Sequence, residues 1–138
     1  MQKEVTKSWA LFIGIGIIMI AHGLQMQLMG IRSVVENFSV ITTGIFMSGY
    51  FTGYFLGSKT TPQLVQKVGH IRVFAAFASL ASLSALLAAV YVNPIMWTLS
   101  RFITGISLVS CYIVTESWLN DRATNKNRGQ LLSAYMII

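Results

Sequence analysis

Residues 49–72 read GYFTGYFLGSKTTPQLVQKVGHIR. Gly49, Gly53 and Gly57 recur at four-residue spacing inside an apolar run. On a helix they share one face, where a second backbone can come close. From Ser58 onward the stretch changes character. Lys59, Pro62, Lys67, Gly69, His70 and Arg72 make it basic and rich in turn formers. A glycine-faced apolar helix running into a cationic loop fits a membrane span that ends at a bilayer surface.

The bulk composition supports that class. Of 138 residues, 54% are hydrophobic and 10% charged, with mean hydropathy +0.65. Soluble domains carry roughly 25% charged residues, and a chain this poor in charge cannot cover a water-facing surface. The net charge of +6 does not indicate nucleic acid, because the basic residues sit in small groups between long uncharged runs. The single cysteine, Cys111, lies in an apolar run. It provides neither a disulfide framework nor a metal set and reads as a small packing residue.

A bilayer core of roughly 30 Å needs about 20 helical residues. Four complete spans are expected, at about 8–29, 40–58, 73–92 and 95–118, with the start of a fifth at 129–138. Lys3 and Lys7 before an apolar run mimic a signal peptide, but no small-x-small cleavage site follows, so the first span is read as retained. Between spans one and two, Arg32 and Glu36 either pair or simply mark the surface. Span three has a stripe of small residues, Ala75, Ala78, Ser82, Ala85 and Ala89, suited to packing. Asn93-Pro94 leaves room only for a hairpin into span four, and Asn127 is placed to cap the fifth helix. The basic residues alternate by side. Lys3, Lys7, Lys59, Lys67, Arg72, Arg122, Lys126 and Arg128 fall on one side and Arg32 on the other, which puts the N-terminus in the cytoplasm.

No HExxH, paired CxxC, phosphate loop or activated nucleophile is present, so an enzyme has no visible equipment. Gly14-x-Gly16 lies mid-span without a preceding strand and is not a nucleotide fingerprint. Arg101 is the sharpest candidate. It sits roughly 10 Å inside span four. A charge there costs about 2.5–3.5 kcal/mol on insertion scales, so it either faces the bundle interior or snorkels to the interface. Gly105, one turn later, favours the interior by letting a neighbouring helix press on that face. His22, Gln25 and Gln27 in span one are explained by interhelical hydrogen bonding or by proximity to the interface; alternatively, Gln25 faces a water-filled cavity and touches substrate. Glu116, at a helix C-terminus where the macrodipole disfavours an anion, needs a cation; Lys67, Arg72, Arg122 and Arg128 are available. That makes a clamp between loops, with a proton-carrying role as the alternative. His70 reads as a loop or surface contact, or else as a pH sensor.

The order of these features resembles the major facilitator superfamily. The segment from Pro62 through Leu64, Gln66, Lys67, Gly69, His70 and Arg72 is similar to its loop signature Gly-x-Leu-x-Asp-Arg-x-Gly-Arg-Arg. Here Pro62 replaces the first Gly, Gln66 the Asp, and His70-Ile71 interrupts the basic run. Arg101-Phe-Ile-Thr-Gly105 resembles the Arg-x-x-x-Gly motif of span four, with Ser107 where a second Gly is common, and Arg128-Gly129 opens span five. With SGYFTGYFLGS, VGHIRVFA and Glu116-Ser-Trp118-Leu-Asn120, the chain is most similar to a bacterial branch of permeases, and the likeness runs along nearly its whole length.

The resemblance implies an all-α integral membrane protein of twelve helices in two six-helix halves. Four helices and part of a fifth of the N-terminal half would be present here. It implies a secondary transporter of the bacterial inner membrane, moving a small solute by alternating access, with protons as the candidate coupled ion. Spans one and four would line the cavity, so Arg101, Gln25 and His22 are the candidate substrate or coupling residues; span three would lie outside. Lys67, Gly69, Arg72, Glu116 and Arg128 are the candidate inward gate, with Glu116 taking the ion pairing that Gln66 has lost. Gly49, Gly53 and Gly57 are expected to meet a helix of the other half, and Gly105 to serve packing. The implied partners are the lipid bilayer, a small-molecule substrate and the C-terminal half of the same protein, with no cofactor, metal or nucleic acid. The alternative is a small four-helix membrane scaffold or assembly subunit without transport activity.

Overall fold

The computed structural model describes residues 2–125 and 128–137, with side chains from Trp9 onward. Lys126 and the Asn127 cap lie outside these, as do the side chains of Lys3 and Lys7. The order is α1 (Gln2–Val35), α2 (Val40–Val68), α3 (His70–Val90), α4 (Pro94–Arg122) and α5 (Arg128–Ile137). No strand occurs among the described residues.

The connections are short, and each follows from its residues. At the end of α1, Asn37 takes φ 56° and the Phe38 N–H donates to the Ser33 carbonyl at 2.9 Å, a Schellman-type stop. Ser39 then caps α2, its Oγ accepting from the Thr42 N–H at 3.1 Å. Asn93 Oδ1 accepts from the Ile95 N–H at 2.8 Å and Pro94 opens α4, which makes the expected hairpin. Arg32 and Glu36 form an i,i+4 contact at 3.5 Å. Arg32 lies in the last turn of α1 and Glu36 in the turn that directly follows it, because the helix runs on to Val35.

The basic segment after Ser58 is mostly helix, not loop. α2 runs through Pro62 to Val68, and Gly69 at φ 91° is the whole corner between α2 and α3. What carries the helix past the proline is packing: Val65, one turn on, is buried with Val73 and Val114, and tertiary burial outweighs the local breaker.

α4 is the hub. Over the apolar windows of the spans, 56% of its residues are buried, against 17% for α3 and 6% for α1. It lies between α2 and α3 and is the helix with which α1 makes its most extensive contact. Three helices are long and apolar enough to cross a membrane: Trp9–Val35, His70–Val90 and Pro94–Arg122. α2, the fourth expected span, has the length at 29 residues. Its glycines, serines and threonines leave it without a window as apolar as those of the other three. Large apolar side chains elsewhere point outward, among them Ile13, Ile17, Ile20, Leu83 and Leu86, as a lipid-facing surface requires.

The glycine face turns inward. Gly49, Gly53 and Gly57 all lie against α4, not on a surface open to another half. A Cβ on Gly53 would fall inside the van der Waals shell of the Phe102 carbonyl oxygen and 3.1 Å from the Ile106 nitrogen. One on Gly105 would meet the Tyr50 carbonyl oxygen and lie 2.9 Å from the Tyr54 nitrogen. The two backbones touch at this crossing, the close approach that small residues permit. Side-chain hydroxyls flank it: Thr61 and Ser110 share a hydrogen bond of 2.7 Å.

The small stripe of α3 is placed differently from expectation. Ser84 and Ala88, not Ala75, Ser82, Ala85 and Ala89, are buried against α4. Ser84 bonds Thr104 at 2.8 Å and its carbonyl accepts from Ser100 at 2.7 Å. Ala78, Ser82 and Ala85 instead line a cavity on the α1 side.

Candidate substrate site

α1 and α4 bring three sequence candidates into one neighbourhood. Arg101 is 0% exposed, so it points into the bundle and does not snorkel. Its guanidinium carbon stands 5.0 Å from the Tyr50 ring centroid, and its Nη2 contacts Met26 Sδ. The cation–π contact is a weak substitute for the water that a guanidinium loses on burial. His22 stacks on the same tyrosine, ring centroids 5.3 Å apart and 19° from parallel. Gln25 and His22 line a cavity of about 420 Å³ between α1, α3 and α4. Gln27 is exposed and takes no part.

The hydrogen bonding of this group is incomplete. His22 Nδ1, Gln25 Nε2, and Arg101 Nε and Nη1 are all buried without a partner, as is Ser107 Oγ further along α4. Buried polar groups are otherwise paired as a rule. The cluster therefore has hydrogen-bonding capacity directed at something other than the described side chains.

Tyr50 and Met26 are members that sequence reasoning missed. Tyr50 carried no signal of its own, since it shares its Gly-Tyr-Phe setting with Tyr54. Because Gly105 admits the Tyr50 backbone, the tyrosine ring lands over Arg101, one turn earlier on α4. Met26 gave no signal, since a methionine in an apolar run is indistinguishable from core.

The candidate gate residues gather at the opposite end of the helices, but only loosely. Gly69 forms the corner, while Lys67, Arg72, Glu116 and Arg128 are exposed. Among the described residues, Glu116 makes no ion pair with Lys67, Arg72, Arg122 or Arg128. Its carboxylate lies beside the Tyr135 phenol of α5 instead, and Arg122 packs over Trp118 at 4.4 Å. An exposed carboxylate in water gains little from a cation and loses side-chain freedom by pairing. The polar link at this end is His70. Its Nε2 is 2.9 Å from Ser117 Oγ and 3.5 Å from Asp121 Oδ2, joining the start of α3 to the end of α4.

Comparison with known proteins agrees with this geometry. The family model described as "Sugar (and other) transporter" matches residues 4–138. An uncharacterised MFS-type transporter of Enterobacter sp. (strain 638) is 32% identical over 103 residues, covering 75% of this chain and 27% of that protein. The uncharacterised MFS-type transporter YcaD of Escherichia coli O45:K1 (strain S88 / ExPEC) is 29% identical over the same shares. That of E. coli O139:H28 (strain E24377A / ETEC) is 28% identical. The chain thus spans about a quarter of the length of these curated relatives. No solved structure matches it significantly. With apolar helices of membrane length, an arginine buried between them and a family match along nearly all its residues, the chain belongs to the sugar (and other) transporters of the major facilitator superfamily.

Proposed function

We propose that the chain forms part of a secondary transporter that moves a small solute by alternating access, with α1 and α4 contributing side chains to the central site. The observation that carries this reading is Arg101, a fully buried cation between apolar helices, grouped with His22, Gln25 and Tyr50. An ionisable residue inside a membrane bundle is expensive and marks a substrate or ion pathway by default. Alternating access would rock one helical bundle against another around this group. Protons are the candidate coupled ion. The cytoplasmic gate is assigned to the end holding Gly69, Lys67, Arg72, Glu116 and Arg128, with the N-terminus on that side and the protein in the bacterial inner membrane. The charge asymmetry supports that orientation, since Lys59, Lys67, Arg72, Arg122 and Arg128 share one end and Arg32 lies at the other.

The test is uptake by the full-length protein in proteoliposomes across a solute panel, with and without a proton gradient. Arg101→Ala is expected to abolish uptake of the solute found. Undiminished uptake by that variant removes Arg101 from the mechanism.

A further inference from the structure

The transport reading leaves the substrate class open, and the unpaired atoms around Arg101 narrow it. The free groups are mainly donors: Arg101 Nε and Nη1, and Gln25 Nε2. A guanidinium with unpaired N–H groups in a bundle needs an anion or water, and no carboxylate lies near it among the described residues. The chain has four acidic residues, Glu4, Glu36, Glu116 and Asp121. Glu116 is on the same helix, but fifteen positions away is about 22 Å along the axis. Asp121 is a turn further still and faces His70. Glu36 is held by Arg32 beyond the end of α1. Glu4 belongs to the first turn of α1, about 33 Å along that helix from Met26, the residue Arg101 touches.

The neighbouring space is suited to the rest of such a ligand. His22 and Gln25 stand on the wall of the cavity of about 420 Å³, whose other walls include Ile18, Ala21, Leu108 and the hydroxyls of Ser82 and Thr104; Arg101 is not itself on the wall and is joined to His22 through the Tyr50 ring. Its volume falls within the usual range for small-molecule sites, which combine apolar walls with a few polar groups. Tyr50 holds the arginine and the histidine together.

Resting on the transport reading, we infer that Arg101 and Gln25, with His22 beside them, form the head-group site for a small organic monocarboxylate whose apolar tail occupies this cavity. Carboxylate oxygens accept from guanidinium and amide N–H groups, and charge-assisted hydrogen bonds of this kind are about twice as strong as neutral ones. The rival is a resident carboxylate from elsewhere in the full-length protein, which would neutralise Arg101 permanently.

Two measurements on the purified full-length transporter separate these. The first needs no ligand. An arginine waiting for a substrate anion is a cost to the empty protein, so Arg101→Gln is expected to melt at or above the wild-type temperature. A permanently paired arginine leaves its partner stranded when removed, so a lower melting temperature for Arg101→Gln, or failure to fold, overturns the inference. The second uses butyrate and benzoate as probes, with butyramide, benzamide and glucose as neutral comparators, read by ligand-induced thermal stabilisation. The carboxylates are expected to bind at least tenfold more tightly than their amides. That preference is expected to vanish in Arg101→Gln and to fall several-fold in Gln25→Ala. Equal response to acid and amide, or no response to any carboxylate, overturns it. Counterflow in proteoliposomes distinguishes the two readings. Carboxylate binding without counterflow keeps the site and sinks the transport reading. Glucose counterflow undiminished by Arg101→Gln keeps transport and sinks the site.

Discussion

The contact between α2 and α4 can be tested by adding one methyl group. In Gly53→Ala the new Cβ would meet the Phe102 carbonyl oxygen inside contact distance, lie 2.9 Å from the Phe102 carbonyl carbon and 3.1 Å from the Ile106 nitrogen. These are backbone atoms of a helix and cannot rotate away. Ordinary contact is restored only if the two helices part by roughly 1 Å. Such a shift also stretches the Thr61–Ser110 hydrogen bond, 2.7 Å in the native crossing. Overpacking of this kind costs about 1–3 kcal/mol, and an interhelical hydrogen bond in a membrane adds about 0.6 kcal/mol. The expected loss is therefore about 1.6–3.6 kcal/mol, read as a shift in the denaturant midpoint of the full-length protein in mixed micelles. Gly105→Ala, which meets Tyr50 from the other side of the same crossing, should cost a similar amount. The double variant should cost clearly less than the sum, because one separation relieves both clashes. Gly23→Ala and Gly44→Ala are the controls: nothing lies within 4 Å of either added Cβ, and alanine is the better helix former. Gly53→Ala within about 0.5 kcal/mol of those controls would refute the close crossing.

Trp97→Phe should destabilise by about 1–2 kcal/mol, because the indole N–H that caps the Ala88 carbonyl at 3.0 Å near the end of α3 is lost; chemical denaturation measures it, and an unchanged midpoint contradicts the cap. A double-mutant cycle of Ser84→Ala with Thr104→Val should return a coupling of about 0.6 kcal/mol for their 2.8 Å hydrogen bond. Zero coupling would mean that each hydroxyl is served by its own helix alone. Single cysteines introduced in place of Lys67 and Arg122 should react with a membrane-impermeant maleimide only in inside-out vesicles, and one in place of Glu36 only in right-side-out cells. Labelling of all three from one face removes the assigned orientation.

The sequence revealed the parts of the fold that depend on local chemistry. The Asn93-Pro94 hairpin was visible because both residues have one structural use there. The inward course of Arg101 followed from the cost of its charge and the glycine beside it. The continuation of α2 through Pro62 was not visible, because what holds it is Val65 against Val73 and Val114, three residues far apart in the chain. Which side of each small-residue stripe faces which helix was hidden for the same reason. Glycines say that some backbone comes close but not whose: Gly49–Gly57 were read toward the other half and meet α4, and the α3 packing stripe was drawn through the wrong small residues. Within the site, Arg101, Gln25 and His22 stood out as polar residues in apolar runs. Tyr50 did not, because its role exists only once the α2–α4 crossing places its ring.

The dependence of α2 on α4 has a bearing on the order of assembly at the membrane. A chain leaves the ribosome N-terminus first, so α2 meets the bilayer before α4 exists. The two members of the Thr61–Ser110 pair are 49 residues apart, a delay of roughly 2–10 s at ordinary rates of synthesis. During that interval α2, which lacks the membrane-length apolar window that the other three long helices have, has its glycine groove unfilled and Thr61 without its cross-helix partner. α4 therefore acts as a retention device for a helix made earlier. In nascent chains stalled after residue 93, α2 should be partly exposed to added protease. Once α4 has followed it into the bilayer, α2 should be fully protected. Equal protection at both lengths would show that α2 holds its place unaided.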